Sequence, residues 1–390
     1  MTNGKYNVGI IGTGFIGRGL VSVFADHPKF RVAGVVTRRD PKTIADLAVD
    51  PAIVLNEVEA AIPRCDIFVE CAGDAVYGTV VAEKILAAGL PVVTIDSELQ
   101  IISGSALRSR GVFIEAEGDQ PGSLAALDAD VRAMGFSPLV YGNVKGFLNL
   151  KPEPEEMAYW SRKNGSGIRH VTAFTDGTAL QMEQALVANG LGATIARRGL
   201  SGIRCDNLEE GALRLAEIAD RIGKPISDYV ISPAGRGAIF IVARHDPKHA
   251  SRLEYMKIGK GPFYVLERPF HLCYMEVPKT LLNVLEVPSR YAFNNGAHPT
   301  VQVMAVPKHD IAKGAYVQKG IGSFDFRGEA VPIAAYPSGV PIPLLNEATF
   351  KRPVREGEIV TFDDVELPRN RALEIWKEIL DNVLTQEHGK

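Results

Sequence analysis

Three groups of residues in this chain have the types and spacing that chemistry needs. The first is Gly12-x-Gly14-x-x-Gly17, which follows a short apolar run and opens a segment of helical spacing. In that setting the first glycine permits a tight turn and the second lets a pyrophosphate approach the backbone. The third lets helix pack on strand. The free N–H groups and positive dipole end of such a helix attract phosphate. Gly12, Thr13, Gly14, Phe15, Ile16 and Gly17 are therefore a candidate dinucleotide loop, joined by Ala72 and Gly73 beyond a later strand. At the end of the second strand, where an acid would grip the ribose hydroxyls of NAD, stand Thr37-Arg38-Arg39. Forked guanidinium donors suit a 2′-phosphate, so Arg38 and Arg39 favour NADP as cofactor. NAD stays open, because Asp40 can bend back to a ribose.

The second group is basic. Lys145 lies in YGNVKGFLN, where an apolar strand-like run meets two glycines. A partly desolvated lysine there can act as an acid or polarise a carbonyl; a water-facing loop lysine is the competing reading. Asn149, four residues on, can hold a substrate hydroxyl. Lys257, Lys260, Arg268 and His271 are interleaved with Gly259, Gly261, Tyr264 and Phe270. They can cradle a phosphate or carboxylate, or form a basic hairpin edge guarded against aggregation. His271 can equally be a satisfied core histidine. The third group is acidic. Asp119 stands at a probable helix start, as cap, base or metal ligand. Glu98, with Asp96 and Glu117, follows strand ends and can converge with it on a divalent metal ion, although no compact metal motif is present. Lys145, Asp119 and Glu98 are the catalytic candidates. Glu183 can line the cleft, whereas Asp176 reads better as a cap. In HDPKH, Pro247 breaks the helix that would pair His245 with His249 as metal ligands.

Placing these groups requires regular elements. YNVGIIG (5–11), RVAGVV (31–36), IFVECA (67–72) and PVVTI (91–95) read as strands. Residues 14–26 and 79–89 read as helices between them. This alternation predicts an α/β Rossmann domain, a doubly wound parallel sheet over 1–120. Residues 121–298 mix helical patterns (LAALDADVRAM, ALRLAEIADRI) with strand-like ones (HVTAFTD, 170–176; GAIFIVAR, 237–244), as an α+β catalytic and dimerisation domain would. From 299 helical periodicity disappears until about 370. There VPKHDIAKGAYV (306–317) and RPVREGEIVTFDDV (352–365) echo each other, each with a Gly turn before a β-branched run. Residues 299–390 are expected to be a separate small all-β module closed by a helix at 371–384.

The whole-chain numbers agree. The 390 residues are 46% hydrophobic and 23% charged with a net charge of −3, which excludes a disordered chain and offers no electrostatic case for nucleic acid. No run of apolar residues is long enough for a membrane span, and MTNGKYNVGI has no signal-peptide core. Four scattered cysteines read as reduced thiols in a cytoplasmic protein.

GIIGTGFIGRG (9–19), EGDQPGS (117–123), YGNVKGFLN (141–149) and MKIGKGPFYVLERPFHLCYMEVP (256–278) together resemble a known group. It is the homoserine-dehydrogenase-like NAD(P)-dependent oxidoreductases with a C-terminal SAF domain. The group includes 1-deoxy-D-xylulose 5-phosphate reductoisomerase-like enzymes and apionate oxidoisomerases. The resemblance implies a Rossmann domain, a catalytic domain and a β-clip-like SAF module. It implies hydride transfer, with or without isomerisation, on a small hydroxylated sugar phosphate or sugar acid. A homodimer or higher homo-oligomer is expected. Homoserine dehydrogenase itself and a non-catalytic nucleotide sensor are the alternatives. Homoserine dehydrogenases carry a TANK-like sequence where this chain has VVTIDSELQ (92–100). Thr94 matches, but Asp96 and Ser97 replace the asparagine and lysine, which predicts a poor homoserine dehydrogenase.

Overall fold

The computed structural model describes residues 4–44, 47–233, 237–287 and 292–388. The chain forms two compact units. One comprises Met1–Gly122, Leu272–Ala297 and Asn370–Ile379; the other comprises Ser123–His271, His298–Arg369 and Leu380–Lys390.

The first unit is built on six strands: β1 (Tyr6–Ile11), β2 (Phe30–Val36), β3 (Val54–Leu55), β4 (Ile67–Glu70), β5 (Val92–Thr94) and β6 (Phe113–Glu115). They pair in parallel in the order β3-β2-β1-β4-β5-β6. The order reverses between β1 and β4, where a doubly wound sheet opens a ligand crevice at its carboxyl ends. Helix α1 (Phe15–Ala25) turns Leu20, Val21 and Phe24 inward against one face, beside Val277 and Leu281 of a later helix, Val277–Glu286. Helix α2 (Ala75–Ala87) packs Val81, Ala82 and Ile85 on the other face with Phe68 and Phe113. Both faces of the sheet are thus covered, and its central strands are apolar runs rather than alternating, with polar residues chiefly at their ends.

In the second unit β7 (Ser137–Lys145), β8 (Ile203–Arg204), β9 (Ile226–Ile231), β10 (Ile239–Arg244) and β11 (Tyr264–Arg268) form a mixed sheet, order β11-β10-β7-β9-β8. Helix α3 (Gln120–Ala133) leads into β7. After β7 come α4 (Pro154–Asn164), α5 (Ile168–Thr175) and α6 (Thr178–Leu191), then α7 (Leu208–Ile222). The apolar stripe of α7, with Ala212, Leu215, Ala216 and Ala219, packs on Val140, Val144 and Phe240. Residues 178–188 of α6 are buried on every side, and Val187 joins Tyr141, Ile239 and Ile241 on the opposite face of the sheet. The segment HVTAFTD, expected as a strand, is instead the helix α5. Its three consecutive buried residues, Val171, Thr172 and Ala173, have no alternation, and the Thr172 hydroxyl donates to the Ile168 carbonyl at 2.8 Å, an i−4 bond of a helix.

The chain passes from the first unit to the second between Ala297 and His298, beside the boundary expected at 299. β12 (Val301–Pro307) and β14 (Phe326–Pro332) pair antiparallel, and β13 (Tyr316–Lys319), β15 (Asn346–Phe350) and β16 (Val365–Glu366) form a second small sheet. The first of these is bonded to α6. Gly328 N–H donates to Thr178 Oγ1 at 2.9 Å and Ala330 N–H to Gln181 Oε1 at 2.8 Å, while Asn189 Nδ2 donates to the Val301 carbonyl at 2.9 Å. Residues 298–369 therefore share the second unit with the mixed sheet. The start of the last helix (Arg371–His388) belongs to the first unit, with Trp376 fully buried and Arg371 Nε 3.0 Å from Glu83. The two echoing segments face each other. Ile311 and Val354 exchange N–H···O bonds of 2.8 and 3.0 Å, Lys308 and Lys351 make equivalent bonds to the Asp325 and Asp364 carbonyls, and Gly314 and Gly357 to the Phe350 and Pro307 carbonyls. This is a local twofold about the Ile311–Val354 pair.

Asp176, expected as a cap, is more than one. It accepts the Thr178 N–H at 2.9 Å, and its other oxygen lies 2.8 Å from Lys308 Nζ, with side-chain exposures of 0% and 3%. Burial pushes Asp176 up and Lys308 down, and each charge opposes the shift of the other. Removing one member strands a buried charge. Lys308→Met should cost about 3–5 kcal/mol in denaturant unfolding, and Asp176→Leu added to it should recover part of the loss. A loss below about 1 kcal/mol would mean that the pair is effectively solvated.

Candidate active site

The glycine loop is shaped by backbone packing. Gly12 has φ +114°, and a Cβ there would meet the Cys71 carbonyl oxygen at 2.7 Å. A Cβ on Gly17 would overlap the Gly12 carbonyl oxygen, whereas one on Gly14 would meet nothing. Two glycines thus serve close packing, and the third faces open space from which a pyrophosphate can approach. Gly14 is the N-cap of α1, with no side-chain cap and no acid in the first turn, so the helix presents N–H groups to an anion. Thr13 Oγ1 lies 3.1 Å from Thr37 Oγ1, and Thr37 Oγ1 accepts the Arg39 N–H at 3.2 Å. Asn56 Nδ2 donates to the carbonyls of Thr37 and Arg39 at 2.7 and 3.1 Å. Arg38 is bonded to Asp74, and Ala72 N–H donates to Glu70 Oε1 at 2.8 Å. These residues fit a dinucleotide, with the loop at the pyrophosphate and the 37–39 turn at the ribose. Phe15, 60% exposed, sits edge-on to Tyr274 at 5.7 Å between ring centroids.

Acids collect at the carboxyl ends of β4, β5 and β6. Glu70 is fully buried, and its Oε2 accepts the Thr94 hydroxyl at 2.8 Å. Burial, with Asp96 next, pushes Glu70 up to about 8. Glu115 is equally buried; burial, and then the charge of Asp119, hold it well above the usual carboxyl range. Asp96 caps the turn Ser97–Leu99 by accepting the Glu98 and Leu99 N–H groups. Ser97 Oγ lies 3.2 Å from Asp119 Oδ2, so the hydroxyl at the lysine position of the TANK-like pattern is turned onto an acid. Glu117 does not join them: its Oε2 is 2.5 Å from Lys279 Nζ. The expected divalent metal therefore does not fit. Asp96, Ser97, Asp119 and Glu117 have other bonds, and among the described residues no three His, Cys, Asp or Glu side chains are grouped to hold a metal ion. Neither Glu70 nor Glu115 stands out in the sequence, because each closes an apolar strand and its burial arises only on folding.

In the second unit Lys145 ends β7. Its Nζ is 3.7 Å from Glu183 Oε2 on α6 and 5.5 Å from the centroid of the Phe174 ring. Asn143 Nδ2 donates to the same Glu183 oxygen at 3.3 Å. The Lys145 side chain is only 19% exposed, so the water-facing reading fails. A cavity of about 580 Å³, lined among others by Phe147, Glu156, Trp160, His170 and Phe174, meets this pair through the Phe174 ring. Burial lowers the pKa of His170, against the pull of Glu183. Sequence reasoning missed this cavity because it took 170–176 for a strand; the i,i+4 pair His170–Phe174, at 4.6 Å between rings, was the available signal. Asn149 spends its Oδ1 on the Lys151 N–H at 3.1 Å, making the turn, and leaves its NH₂ for a ligand.

The basic segment divides. Arg268 pairs across Ile239 with Asn143 and so lies at the Lys145 end of the sheet; its guanidinium stacks on Phe270 at 5.3 Å. His271 Nε2 would be 3.9 Å from a Cβ on Gly237, also at that end. Lys257 and Lys260 precede Tyr264, whose row runs through Ala243 to Pro138 at the other end of β7. Seven residues of strand separate Pro138 from Lys145, about 20 Å or more. Lys257 and Lys260 are exposed loop residues that precede the end of β11 far from Arg268. HDPKH is a short 3-10 turn in which the two imidazoles meet edge to face at 5.0 Å.

Residues 118–277 match the family described as the catalytic domain of the oxidoreductase DRL, and residues 12–108 match the NAD-binding domain of homoserine dehydrogenase. These matches assign the chain an NAD-binding domain of the homoserine dehydrogenase type and an oxidoreductase catalytic domain of the DRL type. A meso-diaminopimelate D-dehydrogenase of Ureibacillus thermosphaericus is 31% identical over 71 residues, 18% of this chain; the match spans only 22% of that relative's length. Among solved structures, GenD2 from gentamicin A biosynthesis, in complex with NAD, is 16% identical with a TM-score of 0.43, covering 76% of this chain and 90% of that one. A UDP-N-acetylglucosamine 3-dehydrogenase from Acidithiobacillus ferrooxidans is 13% identical with a TM-score of 0.41, covering 75% and 92%. No described helix is long and apolar enough to cross a membrane.

The buried acids give a pH dependence with a definite sign. A carboxyl whose pKa rises on folding stabilises the fold fully below its unfolded value, and that contribution is lost as pH rises through the folded value. For Glu70 the window runs from its ordinary 4.5 to about 8. The Glu70 contribution should therefore lower the melting temperature between these limits and level off above them, and Glu70→Gln should flatten the decline. Parallel declines for the two proteins would show that Glu70 is already ionised in the folded state.

Proposed function

We propose that this chain is an NADP-dependent oxidoreductase acting on a small hydroxylated sugar phosphate or sugar acid, with or without a coupled isomerisation. The observation that carries the reading is the Lys145–Glu183 pair, which a cavity of mixed aromatic and polar lining meets through the Phe174 ring. Oxidising a secondary alcohol removes a hydride from carbon and a proton from oxygen. The bound nicotinamide exchanges the hydride; the chain must supply a group for the proton. Lys145 is that group in this reading, donating the proton in the reductive direction and accepting it in the oxidative one. Glu183, with Asn143 behind it, fixes the amine and balances its charge. Aromatic walls suit the C–H faces of a sugar chain, and Glu156 and His170 offer partners for its hydroxyls. Arg268 and His271 are the nearest candidates for an anionic end. For the cofactor, the absence of an acid at Thr37-Arg38-Arg39 favours the 2′-phosphate. The acids around Ser97 disfavour homoserine, since a hydroxyl bonded to Asp119 cannot replace an ammonium.

An assay of NADP- and NAD-linked turnover over sugar phosphates, sugar acids and homoserine tests the reading. Turnover is expected on a member of the first two classes, with NADPH bound more tightly than NADH. Efficient use of homoserine, or nucleotide binding without turnover on any compound, would overturn it. Lys145→Ala should lower turnover about 10²–10⁴-fold while the melting temperature stays within a few degrees. A variant that turns over normally would remove Lys145 from the chemistry.

A further inference from the structure

The turn that should discriminate the two cofactors carries a feature that works against discrimination. Arg38 Nη1 lies 2.8 Å from Asp74 Oδ2, and the guanidinium carbon sits 4.4 Å from the centroid of the Tyr77 ring. Asp74 is held in place from its other side. Its Oδ1 accepts the N–H groups of Val76 and Tyr77 at 3.1 and 3.2 Å, as the N-cap of α2. The carboxylate is therefore built into the helix start, 22% exposed, and Arg38 is laid flat between it and Tyr77. Nothing in the loop motif requires an acid at this position.

We propose that Asp74 is a specificity-determining residue that restrains the preference for NADP over NAD. The inference rests on the reading that the ribose end of the cofactor lies at Thr37-Arg38-Arg39. A 2′-phosphate brings close to two negative charges to that turn. Arg38 attracts it, but Asp74 neutralises Arg38 and repels the phosphate directly. A 2′-hydroxyl experiences neither effect. Arg39, whose side chain pairs with no described residue, is left as the less encumbered cation. The site is thereby tuned toward admitting both cofactors, while an Arg38–Tyr77 stack gives either adenine a flat surface.

The test separates charge from folding. Asn is as good an N-cap as Asp and keeps the same acceptor oxygen, so Asp74→Asn removes the charge and spares the helix start. Asp74→Ser is a second uncharged cap, used if the first variant melts early. Kd values for NADPH and NADH are measured by fluorescence titration of the full-length protein and its variants at low and high salt. The NADPH preference should rise about 3–10-fold in Asp74→Asn, and high salt should shrink the gain. An unchanged ratio, or a shift toward NADH, overturns the inference. If the wild type prefers NADH but Asp74→Asn still moves toward NADPH, the NADP reading fails and the role of Asp74 stands. If the wild type binds neither dinucleotide, both fail.

Discussion

The nucleotide-binding unit depends on a place where backbone touches backbone with no side chain between. The start of α1 lies against the Gly12 carbonyl, and Gly12 in turn lies against the Cys71 carbonyl at the end of β4. Any Cβ at Gly12 or Gly17 would force these segments apart. Because they meet, the N–H groups at the start of α1 open over the point where the strand order reverses, and an anion can reach them. The same contact sets the Ala72–Gly73–Asp74 turn beside the 37–39 turn, so Asp74 can reach Arg38. Cofactor chemistry and cofactor choice both follow from two positions that tolerate only hydrogen.

A second constraint is desolvation. Strands covered on both faces bury whatever ends them, and here β4 and β6 end in Glu70 and Glu115. A carboxylate in such a place is costly, and burial raises both pKa values. The acids that the sequence offered as metal ligands are engaged otherwise: Asp96 caps the Ser97–Leu99 turn, Asp119 faces the Ser97 hydroxyl and Glu117 pairs with Lys279.

The Rossmann half was legible because its signals are local. A glycine spacing, apolar runs and intervening helices each report on neighbouring residues, and their order in the sheet follows from the handedness of βαβ units. The second unit was less legible because its signals are not local. HVTAFTD has the β-branched residues of a strand, but no other strand needs it; packing of Val171, Thr172 and Ala173 in the second unit makes it a helix. The echo between 306–317 and 352–365 was visible, yet its meaning, a twofold about Ile311 and Val354, is a pairing across 43 residues of chain. The attachment of the β segment after 299 was hidden for a related reason. Its bonds to Thr178, Gln181 and Asn189 come from polar residues inside α6, a helix so buried that it lacks the amphipathic stripe that sequence reading looks for.

Register decided which candidates share a site. Lys145 and Asn143 come from one stretch of sequence and Arg268 and His271 from another, but antiparallel pairing through Ile239 brings them to one end of one sheet. Lys257 and Lys260 are only eight to eleven residues from Arg268 in sequence, but they precede the far end of the five-residue strand Tyr264–Arg268. Sequence proximity therefore misled where strand direction reversed the chain, and sequence distance concealed the cluster that formed. The consequence is chemical. Lys145, Arg204 and Arg268 all lie at that end of the sheet, and Glu183 balances the first, so the charge an anionic substrate would meet there is set by strand pairing and not by the basic spacing of 257–271.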